Sequence, residues 1–247
     1  MSQQGKVALI TGANKGLGLE TARQLGQLGI TVLLGARDPA KGEQAAGQLR
    51  SERIDARFLK LDVVSTDDIS AGAATIERDF GKLDILVNNA GVQCESEDMN
   101  ANTSTTISPE DLRITFNTNF FAVVALTQAL LPLLRKSPAA RIVNVSSILG
   151  SNTLHATTGS KGLTAKLLGY DASKAALNSF TIHLAHALQD ANIKVNSAHP
   201  GWVKTDMGGE GATMELTDGA KTEVDLATLT DDGPTGAFLY LGKTIPW

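Results

Sequence analysis

A tyrosine and a lysine stand four residues apart in Tyr170-Asp171-Ala172-Ser173-Lys174, inside a helix-forming run. At that spacing two side chains share one helix face, about a turn apart. A phenol is a weak acid with a pKa of about 10, and a nearby ammonium favours its ionised form. Lowering it to about 7 takes roughly 4 kcal/mol of preferential stabilisation, which one lysine and a second positive charge can share. Taken alone, the pair reads better as amphipathic packing on a helix face than as chemistry. Two upstream residues give it a chemical reading. Ser147 can hydrogen-bond a substrate oxygen and hold it against Tyr170, and Asn119 can position a water that links Lys174 to solvent. Such a set suits proton transfer to a carbonyl oxygen, which also needs a hydride donor.

A binding place for that donor is written at the start of the chain. The apolar run Val7-Ala8-Leu9-Ile10 leads into Thr11-Gly12-Ala13-Asn14-Lys15-Gly16-Leu17-Gly18 and then a helical pattern. Glycines let the backbone approach a pyrophosphate, and the helix start offers free N–H groups and a positive dipole end. The spacing G-x-x-x-G-x-G differs from the common dinucleotide fingerprint. A second strand over 31–35 ends at Ala36-Arg37-Asp38-Pro39, with Arg37 19 residues beyond Gly18 (37 − 18). NAD enzymes place a carboxylate near this point; a guanidinium instead suits a 2′-phosphate. Lys15 is expected to add a second positive charge, and Asp38-Pro39 reads as a helix cap followed by proline at the first helical position. The expected cofactor is therefore NADP(H).

The elements that must position these residues follow a βα rhythm. A third strand over 56–61 ends in Asp62-Val63, with Asp62 placed to accept from an adenine amino group. The Ser65-Thr66-Asp67-Asp68 run starts a helix, and a strand over 83–87 ends in Asn88-Asn89-Ala90-Gly91. These asparagines either tie strands together or line the cofactor. A long helix from Ser108-Pro109 to 134 carries Asn119; strands over 141–145 and 194–198 deliver Ser147 and His199-Pro200-Gly201; a seventh strand lies at 238–240. Alternating strands and helices predict an α/β fold: one Rossmann-type doubly wound parallel sheet of about seven strands with helices on both faces, and one domain over 1–247. The ligand belongs at the carboxyl ends of the strands.

Other chemistries fit poorly. The formal charge is −4, with no basic footprint for nucleic acid. The apolar stretch 120–134 is interrupted by Thr127, Gln128 and Pro132, so no membrane span is expected, and the first six residues carry no apolar signal region. One cysteine, Cys94, fits a reducing compartment, and a cytoplasmic location is expected. His183 and His186 lack a third ligand, so no metal is expected. Ser147 with His199 lacks the G-x-S-x-G elbow of a hydrolase. The polar run 93–106, including Glu95, Glu97 and Asp98, reads as a solvated loop, and 157–166 as a flexible, mildly basic insertion. The glycine-rich stretch 207–216 reads as a mobile lid.

In order, Thr11-Gly12-x-x-x-Gly16-x-Gly18, Asn88-Asn89-Ala90-Gly91, Asn119, Ser147, Tyr170-x-x-x-Lys174 and Pro200-Gly201 resemble the short-chain dehydrogenase/reductases over essentially the whole chain. Trp202-Val203-Lys204-Thr205-Asp206-Met207 and Lys15 look most like the carbonyl-reductase branch. The resemblance implies Asn119, Ser147, Tyr170 and Lys174 as a catalytic tetrad, and Val203 to Thr205 as contacts of the nicotinamide end. The Ser147-to-Tyr170 gap is longer than in most members; carbonyl-reductase-like members carry an insertion here that goes with loss of the usual dimer, so a monomer is expected, a homodimer being the alternative. The expected activity is reduction of a ketone, aldehyde or quinone with NADPH, reversible as alcohol oxidation. A non-catalytic NADP(H) sensor on the same fold is the second reading; it would bind cofactor without turnover.

Overall fold

The computed structural model describes residues 3–95, 104–157, 163 and 165–247. The first five strands are parallel runs of apolar or mixed residues: β1 Val7–Thr11, β2 Thr31–Ala36, β3 Ala56–Lys60, β4 Ile85–Asn88 and β5 Ala140–Val145. With β6 Ile193–Ala198, β7 Phe238–Tyr240 and β8 Lys243–Thr244 they form one sheet in the order β3-β2-β1-β4-β5-β6-β7-β8. All neighbours pair in parallel except β7 and β8. The eighth strand escapes a periodicity search because it is two exposed polar residues. It is set by a two-residue turn in which Leu241 and Gly242 both have positive φ (46° and 76°), the geometry of a tight hairpin.

Alternation in the strands feeds two cores. Ala8, Ile10, Val32, Leu34, Ile85 and Val87 face one side, where α1 Gly16–Gln27, α2 Pro39–Ser51 and α9 Lys221–Ala227 cover them. Val7, Leu9, Leu33, Leu86 and Ile142 face the other, under α3 Thr66–Phe80, α5 Ala122–Leu134 and α7 Leu168–Ala187. Strand order reverses between β1 and β4, so the crevice for a ligand opens at their carboxyl ends.

The expected caps are present: Asp38 accepts from Lys41 N, with Pro39 following, and Ser65 accepts from Asp68 N. The long helix before β5 is continuous but not uniform. α4 Pro109–Phe116 passes through a π-turn, Asn117–Phe121, into α5. A π-turn widens the helix by one residue and often marks a working position; here it holds Asn119. The helix over Pro109–Leu134 runs 26 residues and contains an 18-residue window of mean hydropathy 1.4, so by length and composition alone it could cross a bilayer. Its apolar side is used inside the protein: Leu126, Leu130 and Leu133 share a core with Ile69 and Ile76 of α3.

After β5 come a 3₁₀ turn, Ile148–Gly150, and the short α6, Asn152–Ala156; most of the insertion expected at 157–166 lies outside the described residues, as do 96–103 with Glu97 and Asp98. The stretch 207–216, expected as a lid, is fastened to the chain before it. Thr213 N and Met214 N donate to Trp202 O, Lys204 N to Met214 O, and Trp202 Nε1 to Gly208 O. It ends in α8, Leu216–Gly219.

Candidate active site

The crevice at the β1 and β4 ends is held by the asparagine motif. Asn89 N and Ala90 N both donate to Thr11 Oγ1 (3.0 and 2.9 Å), and Asn89 Nδ2 donates to Thr11 O at 2.8 Å. Gly12 and Gly16 have positive φ, 65° and 57°. A Cβ on Gly18 would lie 2.4 Å from Asn89 Nδ2 and 2.9 Å from Gly12 O, so the turn closes only with glycine there. α1 begins with no side-chain cap and no acidic residue in its first turn. Its earliest backbone bond runs from Leu19 N to Lys15 O, leaving the preceding N–H groups for an anion. Thr205 approaches from the far side, its Cγ2 3.7 Å from where a Gly16 Cβ would sit.

Around the crevice, Arg37 at the end of β2 is exposed, with no ion pair among the described residues. Asp62 is half-buried, one oxygen accepting from Val64 N at 3.2 Å, beside half-buried Val63. Lys15 departs from expectation: its ammonium is turned to Asp206, in a pair exposed on both sides. A hollow of about 300 Å³ is lined by Asn14, Lys15, Lys41, Gln44, Ala45 and Gln48. Lys41 was not foreseen; its place three residues after the Asp38 cap is the signal that could have found it. A larger groove between α1 and α8 contains none of the expected site residues.

Of the two readings of Asn88, strand tie or cofactor lining, its side chain takes the first and enters the sheet. Its Nδ2 donates to Asn144 Oδ1 (2.8 Å) and Thr127 Oγ1 (3.2 Å); Asn144 Nδ2 donates to Thr181 Oγ1, which bonds Ser197 Oγ, each at 2.8 Å. This buried chain of small polar groups locks β4, β5 and β6 beneath α5 and α7, so the side chains expected to be catalytic stand on a braced platform.

On that platform the four expected residues converge. Asn119 is fully buried, its amide gripping both polar atoms of Val92 (2.8 Å each) and Ser173 Oγ (3.0 Å). The side chain is thus committed to holding the loop after β4. A Cβ on Gly91 would sit 3.3 Å from Asn119 Oδ1 and 3.5 Å from Lys174 Nζ, so Gly91 lets the three meet. Lys174 Nζ donates to Val145 O at 2.8 Å and lies 5.6 Å from the centre of the Tyr170 ring. Ser147 caps the 3₁₀ turn by accepting from Leu149 N at 3.2 Å, and its hydroxyl faces the Tyr170 phenol closely enough to favour its ionised form.

The electrostatics depart from a simple Lys174-tuned phenol. Desolvation pushes Tyr170 up to about 12, with Ser147 pulling down and the charges of Asp171 and Glu95 pushing up. Burial lowers Lys174 to about 8, opposed by Glu223. Protein groups alone therefore hold the phenol protonated, the form a proton donor needs.

His199 is no triad partner for Ser147. Its Nδ1 accepts from Ile148 N (3.2 Å) and Gly201 N (3.4 Å), its ring rests on Tyr240, and burial lowers it to about 4. It fastens the serine loop to Pro200-Gly201. Gly201 has φ 90°, and a side chain there would strike Met214 Sδ at 2.6 Å. Val203 is buried, and Thr205 Oγ1 accepts from Gly208 N at 3.0 Å. Glu95, expected in a solvated loop, is buried against the start of α7. Among the described residues no group of three His, Cys, Asp or Glu is placed to hold a metal.

Residues 6–215 match the family described as short chain dehydrogenase. The chain is 32% identical to carbonyl reductase (NADPH) 1 of Bos taurus, covering all of both chains. It is 30% identical to (+)-neomenthol dehydrogenase of Capsicum annuum, over 95% of each. The NADPH-bound carbonyl reductase from chicken fatty liver superposes with a TM-score of 0.84 at 30% identity, over 99% of this chain and 100% of that one. With its glycine turn, braced platform and Tyr170–Lys174 helix, this chain belongs to the short-chain dehydrogenase family of oxidoreductases.

Proposed function

We propose that the protein is an NADPH-dependent carbonyl reductase acting on a ketone, aldehyde or quinone, and running in reverse as an alcohol dehydrogenase at high pH. The observation that carries this reading is the meeting of Ser147, Tyr170, Lys174 and Asn119 at the end of β5, beside an uncapped helix start. The cofactor, when bound, supplies the hydride. Its pyrophosphate fits the first turn of α1, where backbone N–H groups are free and no carboxylate competes. Arg37, with Lys41 and a Lys15 released from Asp206, would hold the 2′-phosphate; an exposed ion pair of that kind is worth about 0–1 kcal/mol and gives way readily.

In reduction Ser147 orients the carbonyl oxygen and Tyr170, kept protonated by burial, gives its proton to that oxygen as charge develops. Lys174, anchored on Val145 O, stabilises the phenolate left behind and returns a proton to it. Asn119 contributes through the turn it shapes: the wide π-turn takes a carbonyl out of the regular ladder, where it can hold the relay water.

Purified protein should consume NADPH with members of a ketone, aldehyde and quinone panel. Tyr170→Phe should lower kcat by about 10²–10⁴-fold while NADPH binding, read by fluorescence, is kept. An unchanged rate would sink the assignment, and tight binding without turnover on any carbonyl would favour the sensor reading.

A further inference from the structure

The catalytic helix α7 starts without a cap of its own. Leu167 occupies the cap position and offers no side-chain acceptor. The need is met from 75 residues away, where Glu95 Oε1 accepts from Tyr170 N at 2.9 Å. Tyr170 is the third residue of the helix, the position at which an N-cap acceptor normally bonds. Glu95 is only 6% exposed, and its second oxygen has no hydrogen-bond partner among the described residues. Its seat exists because residue 169 is glycine: a Cβ there would stand 2.8 Å from Glu95 Oε1 and 3.1 Å from Ile107 Cδ1. A carboxylate is not buried in this way without return, since desolvating it costs several kcal/mol before its partners are counted.

We propose that Glu95, reaching in from the segment after β4, is the missing cap of α7 and a positioning residue for Tyr170. The inference rests on Tyr170 being the proton donor. The bond fixes the backbone from which the phenol projects, and the charge sits where it opposes phenolate formation. The other groups around the phenol are Ser147 after β5, Asp171 and Lys174 on α7, and, behind Asp171, His155 of α6 (3.2 Å) and Lys166. Glu223 of α9 acts on Lys174 from the opposite face. Of the two carboxylates that raise the phenol, Glu95 arrives from outside the helix, so it also ties the chain after β4 to the residue that carries the phenol.

The test compares Glu95→Gln, Glu95→Ala and Tyr170→Phe. It measures kcat for carbonyl reduction, the pH profile of alcohol oxidation with NADP⁺, and NADPH affinity. Glu95→Ala should lower kcat at least about tenfold with NADPH affinity unchanged, because the donor is displaced while the cofactor site is not. Glu95→Gln keeps an acceptor without the charge. It should recover most of kcat and move the midpoint of the oxidation profile down by about 0.5–1 unit. Wild-type turnover in Glu95→Ala overturns the proposal, as does a Glu95→Gln variant with an unmoved midpoint. Should the alanine variant not fold, the glutamine midpoint decides. A dead Tyr170→Phe beside wild-type behaviour of both Glu95 variants removes this inference alone; an active Tyr170→Phe removes the function proposed above as well.

Discussion

Two helix starts in this molecule meet the same physical problem and solve it oppositely. The first N–H groups of any α-helix lack intrahelical partners and together carry a partial positive charge. α1 leaves them open: it has no side-chain cap and no acidic residue in its first turn. α7 fills part of its start with carboxylates, Glu95 accepting from Tyr170 N and Asp171 from Leu167 N at 3.0 Å. The open start can take an anion from solution. The α7 start, with two carboxylates already at it, repels an anion and carries Tyr170 on a backbone that Glu95 holds. Under the proposed function the site has an anion-holding end and a proton-handling end, divided by where carboxylates are allowed.

The sharpest way to break this contrast is to make α1 resemble α7. Leu17→Glu puts a carboxylate in the open turn at a half-buried position, where folding should survive. Repulsion between that charge and a bound pyrophosphate, at about 2–3 kcal/mol, should weaken NADPH binding roughly 10²-fold or more. Binding by fluorescence titration checks it; unchanged affinity would mean that the start of α1 is not the pyrophosphate site.

A smaller effect is expected at the rim. Arg37→Asp should weaken NADPH by about 10- to 100-fold, the worth of one charged hydrogen bond of about 1.5–3 kcal/mol, and shift preference toward NADH. The loss is smaller than at Leu17 because Lys15 and Lys41 still line the neighbouring hollow. Preference that does not move would remove Arg37 from the 2′-phosphate site.

The two helix starts also differ in how plainly the sequence announces them. The glycine turn, the Asn88-Asn89-Ala90-Gly91 motif and the Tyr170–Lys174 spacing are local patterns, each dictated by backbone conformation or helical period. The caps at Asp38 and Ser65 are local too, and the structure places them as expected. Glu95 is different. Its partner is 75 residues away, and the polar run around it has the composition of a solvated loop. Nothing in the spacing shows that Gly169 leaves a hole of its shape. Asn88 left two readings open, strand tie or cofactor lining, and its side chain takes the first, because Asn144 and Thr127, one strand and one helix away, claim its amide. The raised Tyr170 has the same origin, since desolvation depends on everything packed around the phenol, whereas the Lys174 spacing shows only one neighbour. Lys15 found Asp206 across 191 residues.

The third test lies between the two helices. Glu223 is fully buried, accepts from Thr21 Oγ1 of α1 at 2.6 Å, and acts electrostatically on Lys174 of α7. Desolvation, opposed by the Thr21 bond and Lys174, raises it to about 8 from 4.5. In the unfolded chain the carboxyl ionises above about 4.5, while in the fold it holds its proton until about 8. The unfolded state therefore binds fewer protons through that window, and wild-type stability falls as pH rises across it. Asp171, raised to about 7, and His199, lowered to about 4, titrate within the same range but are common to both proteins, so they cancel in a difference. Gln cannot ionise. Denaturant unfolding of Glu223→Gln and wild type should thus agree most closely near pH 5 and diverge in favour of the variant, by about 2 kcal/mol between pH of about 6.5 and about 8, at 1.36 kcal/mol per pH unit. A difference that stays constant from pH 5 to 8 would show that Glu223 has the same protonation in both states. The link it makes between the open helix start and Lys174 would then be packing without charge.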